Sequence, residues 1–516
     1  MLKKIFRSQK SGQAAFLLMI ASVLSYAAGL LRDRTLANTF GATKFTDAYN
    51  ASFLIPDFLF NLFIAGALSV AFIPIFASYL KTDEKEADKI ASTIITFGTL
   101  LLGGLGIIFF FLMPYLVPHI FTNLDASNHE MIITMTRILL ISPILFSISN
   151  ALGSILITHK HFLAYALSGF VYNIGIIIGI VLFNEQFGIY SAAIGAIIGA
   201  VLHLGIRLLN IFTVDYKFQP QLSLKHAGIR KIFKLMIPKT IQLISWQVVL
   251  WVYTITAYKL EEGSVAAFNY ARNLQSFPVS LFGIAFATAI FPFLSDHAHS
   301  QDTKRFSDDF QMSLEKILFF VIPASLGMLL LHKEILTIIL FGGVFDEAAL
   351  NLTASVLFIF ILSIPIESMI HLFARAFYAY KNTLMPMIFA LIATVFNIGF
   401  CVFFADKIGI QAVSMAFLGS TIIQLVLLGI FLAKHLGEFK IKDFIMKLTK
   451  IGIAASAMSL GVIYIPQFIS ISFLTLQIIR VIVGTSIYLA LALIFKCKEL
   501  TFFSDIFKKI TTKNRV

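Results

Sequence analysis

The sequence predicts an all-α polytopic membrane protein of about 14 transmembrane helices, with two parallel-repeated six-helix bundles plus two C-terminal helices around a central cavity. Three observations support this fold class: an apolar composition, apolar stretches along the whole chain, and an internal repeat. Hydrophobic residues make up 58% of the 516 residues and charged residues 13%, against roughly 45–50% and 25% in soluble domains. A soluble fold of this length could not bury so much apolar surface.

Apolar stretches of ~18–30 residues recur from end to end, and each is long enough to cross a hydrocarbon core of ~30 Å. In lipid the backbone must satisfy its own polar groups, so these stretches predict helices. The alternation that is typical of barrel strands is absent. The predicted spans are residues 13–40, 46–80, 87–118, 129–158, 162–184, 188–213, 229–258, 264–298, 306–331, 346–378, 383–405, 409–435, 443–465 and 471–496.

The net charge of +13 could indicate binding to nucleic acid or to anionic lipid. The positions of the basic residues instead indicate the membrane topology. Lys and Arg concentrate in alternate connections between spans, including the N-terminus, Lys81–Lys89, Val214–Gly228 and the tail from Cys497. The other connections hold almost none. By the positive-inside rule both termini are therefore cytoplasmic, and no nucleic-acid partner is expected.

An internal repeat orders the spans, because Pro, Asn and Gly recur in the same sequence at a separation of about 220 residues. The matching segments are Asp47-Ala48-Tyr49-Asn50 with Ala266-Ala267-Phe268-Asn269, Phe72-Ile73-Pro74 with Ile290-Phe291-Pro292, and Asn173-Ile174-Gly175 with Asn397-Ile398-Gly399. Two such bundles facing each other create a cavity of the kind that alternating-access transporters use. The predicted domains are a first bundle at 1–213, a cytoplasmic linker at 214–228, a second bundle at 229–435, two additional helices at 443–496 and a basic tail at 497–516. The linker is expected to lie on anionic lipid headgroups or to act in gating.

Charged residues inside the spans are the candidate functional residues, since a charge at the bilayer centre costs ~2.5–3.5 kcal/mol on insertion scales. Arg272 lies about eight residues into its span, hence ~12 Å deep. It is expected to bind an anionic head group, or to form a structural ion pair with Asp57 at similar depth.

Arg32 lies near the outer end of the first span, where it could serve as a ligand or, with Asp33 and Arg34, as an interfacial anchor. Asp47, at the outer start of the second span, could pair with Arg32. Asp33 and Asp57 are candidate counter-ions.

Glu367 and His371 are four residues apart and share one helix face. They could carry protons, because His titrates near neutrality, or they could form a local polar stripe. Further polar residues suggest the wall of a polar cavity: Asn50, Asn61, Lys239, Gln242, Gln247, Asn269, Asn273 and Gln275.

The sequence contains no P-loop, H-E-x-x-H or G-x-S-x-G motif, and no Cys/His cluster with metal-ligand spacing. It therefore predicts no enzyme, no cofactor and no metal site.

Three segments carry a resemblance: SYAAGLLRDRTLANTFGATKFTDAYNASFLIP, FNYARNLQSFPVSLFGIAFATAIFPFLS and RAFYAYKNTLMP. They resemble the MurJ (MviN) lipid II flippases of bacteria, within the multidrug/oligosaccharidyl-lipid/polysaccharide exporter superfamily. The resemblance implies a cationic cavity and outward movement of the undecaprenyl-pyrophosphate-linked peptidoglycan precursor in the bacterial cytoplasmic membrane. It also implies a lipid-tail groove at 443–496, membrane lipids and cell-wall synthesis proteins as partners, and cavity positions for Arg32, Asp47 and Arg272.

The chain departs from that family pattern at four positions. Tyr26 and Phe60 stand where many members carry arginines, Gln275 replaces a usual acid, and Asp57 stands where Asn is common. A less cationic cavity leaves three alternatives open: an exporter of another polyprenyl-linked glycan, an exporter of drug cations with an aromatic and acidic cavity, and a non-transporting membrane scaffold for cell-wall synthesis. Only the scaffold would tolerate loss of the cavity charges.

Overall fold

A computed structural model describes residues 11–63, 67–122, 124–437, 439–465 and 471–500, with the side chains of 11–16, 63, 67–70, 238–239, 241–242 and 498 outside that description. The predicted polar residues Lys239 and Gln242 therefore lie outside the described side chains, as does most of the basic tail. The described residues form helices joined by loops, without a β-strand among them, which confirms the predicted all-α class. Continuous apolar sequence makes this the expected outcome, because a helix satisfies its own backbone groups in lipid.

In chain order the helices are α1 Ser11–Phe40, α2 Lys44–Ala51, α3 Leu54–Phe63, α4 Ala67–Leu80, α5 Glu84–Ile120, α6 Ala126–Leu139, α7 Ser142–Thr158, α8 Leu163–Phe187, α9 Tyr190–Ile211, α10 Ala227–Tyr258, α11 Ser264–Pro278, α12 Ala285–His299, α13 Thr303–Leu330, α14 His332–Ile339, α15 Glu347–Ala379, α16 Leu384–Ile408, α17 Gln411–Leu432, α18 Ile441–Tyr464 and α19 Phe473–Ile494. A π-helical segment, Val279–Ile284, joins α11 to α12 directly after Pro278. A 3-10 turn at Lys498–Leu500 follows α19.

Eleven candidate membrane spans are present among the described residues, each long and apolar enough to cross a bilayer. They coincide with eleven of the predicted spans to within several residues. The three remaining predictions, at 13–40, 46–80 and 229–258, all include residues or side chains outside the description. The chain is therefore a multi-pass membrane protein, and the count of 14 stays a prediction.

The first compact unit comprises the residues up to Ala267 together with Ile339–Ala349. Glycines allow α8 and α9 of this unit to pack closely. A Cβ on Gly175 of α8 would lie 2.3 Å from the Cα of Gly199 in α9, so only glycine permits this approach. The loop at 339–349 belongs here because the Val344 amide donates to the Asn38 carbonyl at 2.9 Å. Helix α10, which the repeat assigns to the second bundle, packs on α3, α4 and α5.

The second compact unit comprises Phe268–Ile338 and the residues from Leu350 onward. Its last two helices, α18 and α19, pack on α13, where the Tyr488 hydroxyl donates to the Phe319 carbonyl at 2.6 Å. Arg480 of α19 is buried and donates to the Val462 carbonyl at 3.0 Å and to the Glu334 carboxylate at 2.9 Å. These ties hold the additional helices to the rest of the unit. The predicted domain boundaries at 213, 228 and 435 remain predictions.

Candidate functional site

Arg32 of α1 is fixed by two neighbours rather than extended towards open space. Its Nε and Nη2 donate to Asp33 Oδ1 at 3.0 and 2.7 Å, and its Nη1 donates to Asn173 Oδ1 at 3.0 Å. The Arg32 side chain keeps 25% of its surface exposed, against 8% for Asp33. A guanidinium has five N–H donors, and these bonds use three of them. Arg32 is thus held in one orientation, and these contacts with described residues leave two of its five donors for a ligand.

Asn173 of α8 is a positioning residue that sequence reasoning missed. Its Nδ2 donates to the carbonyls of Gly169 at 3.0 Å and Ser25 at 3.3 Å, which directs its Oδ1 at Arg32. The sequence marked this asparagine only as part of the repeated Asn-Ile-Gly motif. The signal that could have found it is a buried amide within an apolar span, which needs a polar partner. Its repeat counterpart, Asn397, donates instead to Ser420 at 2.9 Å.

Asp47 of α2 caps a helix, and the ion pair expected with Arg32 is replaced by the Arg32–Asp33 pair. The Asp47 carboxylate accepts from the amides of Gly263 at 2.8 Å and Ala266 at 2.9 Å, in the first turn of α11. A carboxylate at a helix N-terminus satisfies amides that lack intrahelical partners and opposes the positive end of the helix dipole. Asp47 is only 3% exposed. Its structural task here is to tie α2 to α11, and its predicted role as a ligand stays a prediction.

The other predicted polar residues of this unit lie on α2 and α3. Asn50 donates to the Thr46 carbonyl one turn earlier, at 2.8 Å. Asn61 donates to the Gln247 side chain at 3.2 Å and so joins α3 to α10. Asp57, in the first turn of α3, is exposed. A charge of this kind within an apolar stretch points to a watery or ligand-bearing surface rather than to lipid.

A second polar cluster joins α11 to α15. Gln275 Nε2 donates to Glu367 Oε2 at 2.6 Å and to the Ser363 hydroxyl at 3.3 Å, and Gln275 is only 3% exposed. Arg272, one turn earlier on α11, is half-buried and attracts the Glu367 carboxylate electrostatically. Arg272, Gln275 and Glu367 therefore form one cluster of a cation, an amide and an acid.

The π-helical segment lies directly beyond this cluster. A Cβ on its Gly283 would lie 2.7 Å from the Cα of Ser368, so glycine is needed for α15 to approach this closely. Single π-helical turns inside α-helices are frequently found at functional sites. Pattern reasoning predicted one uninterrupted span here, because hydropathy does not distinguish a π turn from an α turn.

The remaining predicted residues of the second unit lie around the same cluster. Asn269 and Asn273 on α11, and His371 on α15, are half-buried. Arg375 lies one turn beyond His371 and stacks on the Phe291 ring, with 5.2 Å between the guanidinium carbon and the ring centroid. The proton-carrying role of Glu367 with His371 stays a prediction.

The two positions that depart from the arginine pattern contribute aromatic surface. Phe60 packs edge-on against Phe146 with ring centroids 5.5 Å apart, and Phe146 in turn contacts Tyr172 and His203. Tyr26 of α1 is half-buried. In the described part of the chain no group of three or more His, Cys, Asp or Glu side chains could hold a metal ion.

Comparison with known proteins adds three findings. A family model described as "Lipid II flippase MurJ" matches residues 36–484. A curated "Lipid II flippase MurJ" of Thermosipho africanus is 30% identical over 485 residues, covering 93% of this chain and 96% of that protein. A "Probable lipid II flippase MurJ" of Borreliella burgdorferi is 27% identical over 411 residues, covering 78% and 79%.

Solved structures show the same relationship. One described as "Lipid II flippase MurJ, inward closed conformation" superposes with a TM-score of 0.79 at 27% identity, covering 93% of this chain and 98% of that one. An inward-facing multidrug resistance MATE family transporter of the MOP superfamily superposes with a TM-score of 0.64 at 16% identity, covering 85% and 99%. The second likeness is one of fold alone.

Proposed function

Because the chain belongs to the MurJ lipid II flippase family, we propose that it carries lipid II from the inner to the outer leaflet of the bacterial cytoplasmic membrane by alternating access. Lipid II is a peptidoglycan precursor linked to undecaprenyl pyrophosphate, so the carrier must accept a charged head group. The observation that carries the proposal at the level of residues is the fixed guanidinium of Arg32, held by Asp33 and Asn173.

A guanidinium is suited to a pyrophosphate because its planar donors can bind phosphate oxygens bidentately. Arg32 needs no large rearrangement to do so, since Asp33 and Asn173 already set its orientation. Pre-organisation of this kind lowers the entropic cost of binding. Asp33 acts as the counter-ion that keeps the site stable when no head group is present.

We assign the second head-group contact to Arg272, supported by Gln275 and Glu367. Glu367 attracts Arg272 electrostatically and accepts a hydrogen bond from Gln275. An anionic head group competes with Glu367 for the Arg272 charge, so Glu367 is the candidate coupling group. His371, one turn further along α15, is the second candidate.

Export of drug cations is the second candidate function. The exposed Asp57 carboxylate and the Phe60–Phe146 ring pair offer negative charge and aromatic surface, which organic cations prefer. Arg32 and Arg272 each repel a cation and attract a pyrophosphate. We therefore favour the lipid-linked pyrophosphate over the cation.

Growth rescue tests the proposed function. We expect the chain to restore growth and cell shape in a bacterium depleted of its own lipid II flippase. A chain that inserts into the membrane at normal abundance but rescues nothing would contradict transport of lipid II. Rescue by the Asp57→Asn variant, which lacks the carboxylate that a cation requires, separates the flippase from the drug exporter.

The orientation in the membrane gives a second prediction. We propose that both termini and the linker are cytoplasmic, because the basic residues concentrate there. In a Cys401→Ala and Cys497→Ala background, an impermeant thiol reagent added to intact cells is expected to label Ser127→Cys and Gln186→Cys. The same reagent should leave Lys225→Cys unmodified until the cells are opened. Ser127, Gln186 and Lys225 are all exposed, so access alone does not separate them. Labelling of Lys225→Cys in sealed cells would contradict the proposed orientation.

A further inference from the structure

A cleft of about 710 Å³ lies between the linker and three helices of the first unit, and neither Arg32 nor Asp47 lines it. Apolar side chains of α5, α7 and α9 form most of its wall, and linker residues form its rim. The wall residues used below are Leu100, Ile148, Leu152, Leu208 and Ile211.

The rim is held in place by hydrogen bonds from the linker to α5. The Tyr216 hydroxyl forms a hydrogen bond with the Ser92 hydroxyl at 3.1 Å, and the backbone N–H of Gln219 donates to the same hydroxyl at 3.2 Å. The Lys217 amide donates to the Asp88 carboxylate at 3.2 Å. Burial raises the pKa of the Tyr216 phenol further above neutrality. Hydrogen bonds to α5 therefore hold the linker residues that form the rim of the cleft in a defined position.

Along α7 the cleft reaches about as far from the end of the helix as one membrane leaflet is thick. Ile148 lies ten residues before the end of α7 at Thr158, a rise of ~15 Å, and half of a hydrocarbon core of ~30 Å is ~15 Å. Its wall is also accessible from outside the protein, because Leu100 is 58% exposed and Leu208 is 37% exposed. An acyl chain can therefore enter it sideways from the bilayer.

The rim carries one charge of each sign. Asp215 and Lys217 both line the cleft and are both exposed. The Asp88 carboxylate beside Lys217 adds a second negative charge. A wholly anionic head group would meet more repulsion than attraction here. A zwitterionic head group fits, with its phosphate at Lys217 and its ammonium at Asp215.

We propose that this cleft binds a zwitterionic phospholipid of the cytoplasmic leaflet, of the phosphatidylethanolamine class. The acyl chain occupies the apolar wall, and the head group bridges Asp215 and Lys217. The lipid then joins the linker to α7 and α9 and stabilises the linker against the bundle. This site is separate from the one proposed for lipid II.

Native mass spectrometry of the whole protein with phosphatidylethanolamine or phosphatidylglycerol tests the site. We expect the wild type to retain one phosphatidylethanolamine in preference to phosphatidylglycerol. Leu208→Trp places an indole in the cleft and is expected to weaken that retention about tenfold or more. Leu209→Trp is the matched control, because Leu209 is a neighbouring exposed residue (49%) that does not line the cleft. Equal retention by the two tryptophan variants would overturn the proposal.

Exchange of the rim charges provides a test that leaves the apolar wall intact. Asp215→Lys is expected to weaken phosphatidylethanolamine retention roughly threefold, the scale of an exposed ion pair, and to favour phosphatidylglycerol instead. Lys217→Glu should weaken the retention of both lipids. A wild type that prefers phosphatidylglycerol, and an Asp215→Lys variant whose preference is unchanged, would each contradict a zwitterionic site.

Discussion

Arg272→Ala is expected to abolish growth rescue while leaving the abundance of the protein in the membrane near that of the wild type. Arg272 is a half-buried cation on the same helix as Gln275, and it attracts the Glu367 carboxylate. Hydrogen bonds to charged groups are worth ~1.5–3 kcal/mol, so losing this contact should weaken lipid II binding roughly tenfold to a hundredfold. Quantitative immunoblotting with growth curves gives both readouts.

The matched control for that substitution is Arg305→Ala. Arg305 lies on the same unit with 74% of its side chain exposed, and its ion pair with Asp302 is a surface contact. It should rescue growth fully. If Arg272→Ala is instead lost from the membrane, the arginine is a structural partner of Glu367, since removing one member of a buried pair leaves an uncompensated charge. Full rescue by Arg272→Ala would contradict a role for Arg272 in transport.

Asp47→Ala is expected to lower the thermal midpoint of the purified protein by several degrees and to impair rescue. The substitution leaves the buried amides of Gly263 and Ala266 without their acceptors, at a cost of ~1–3 kcal/mol for each. Asp47→Asn supplies one acceptor instead of two and should fall in between. Asn50→Ala, on the same short helix, removes a bond within the helix and is the matched control for thermal stability.

That comparison also separates the cap from the ligand role predicted for Asp47. If Asp47 acts as a helix cap, thermal stability and growth rescue decline together from the wild type through Asp47→Asn to Asp47→Ala. If Asp47 instead binds lipid II, the variants keep normal thermal stability and retain less lipid II. An Asp47→Ala variant as stable as the wild type would contradict the structural assignment.

Features fixed by local pattern could be predicted from the sequence. Apolar length and the need to satisfy the backbone in lipid predicted the all-α class and fourteen spans, of which eleven coincide with apolar helices of spanning length among the described residues. Three sequence segments predicted the family that the comparisons confirm. Arg32 and Arg272 stood out because a charge within an apolar stretch is costly.

Features that depend on distant contacts were not predictable. Asn173 positions Arg32 across 141 residues of sequence, and Asp47 reaches amides 216 and 219 residues away. Periodicity carries no information about such partners, so the sequence offered Arg32 as a possible partner of Asp47 and did not indicate Gly263 or Ala266. The grouping of α10 with α3, α4 and α5 likewise follows from packing, which the repeat alone does not specify.

Retention of lipid II by the purified protein tests the central claim most directly. Native mass spectrometry with equal amounts of lipid II and phosphatidylglycerol is predicted to show lipid II bound in preference. Arg32→Ala and Arg272→Ala should lose this preference, while Arg305→Ala keeps it. A wild type that retains both lipids equally, or a preference that survives the loss of both arginines, would contradict recognition of the pyrophosphate by Arg32 and Arg272.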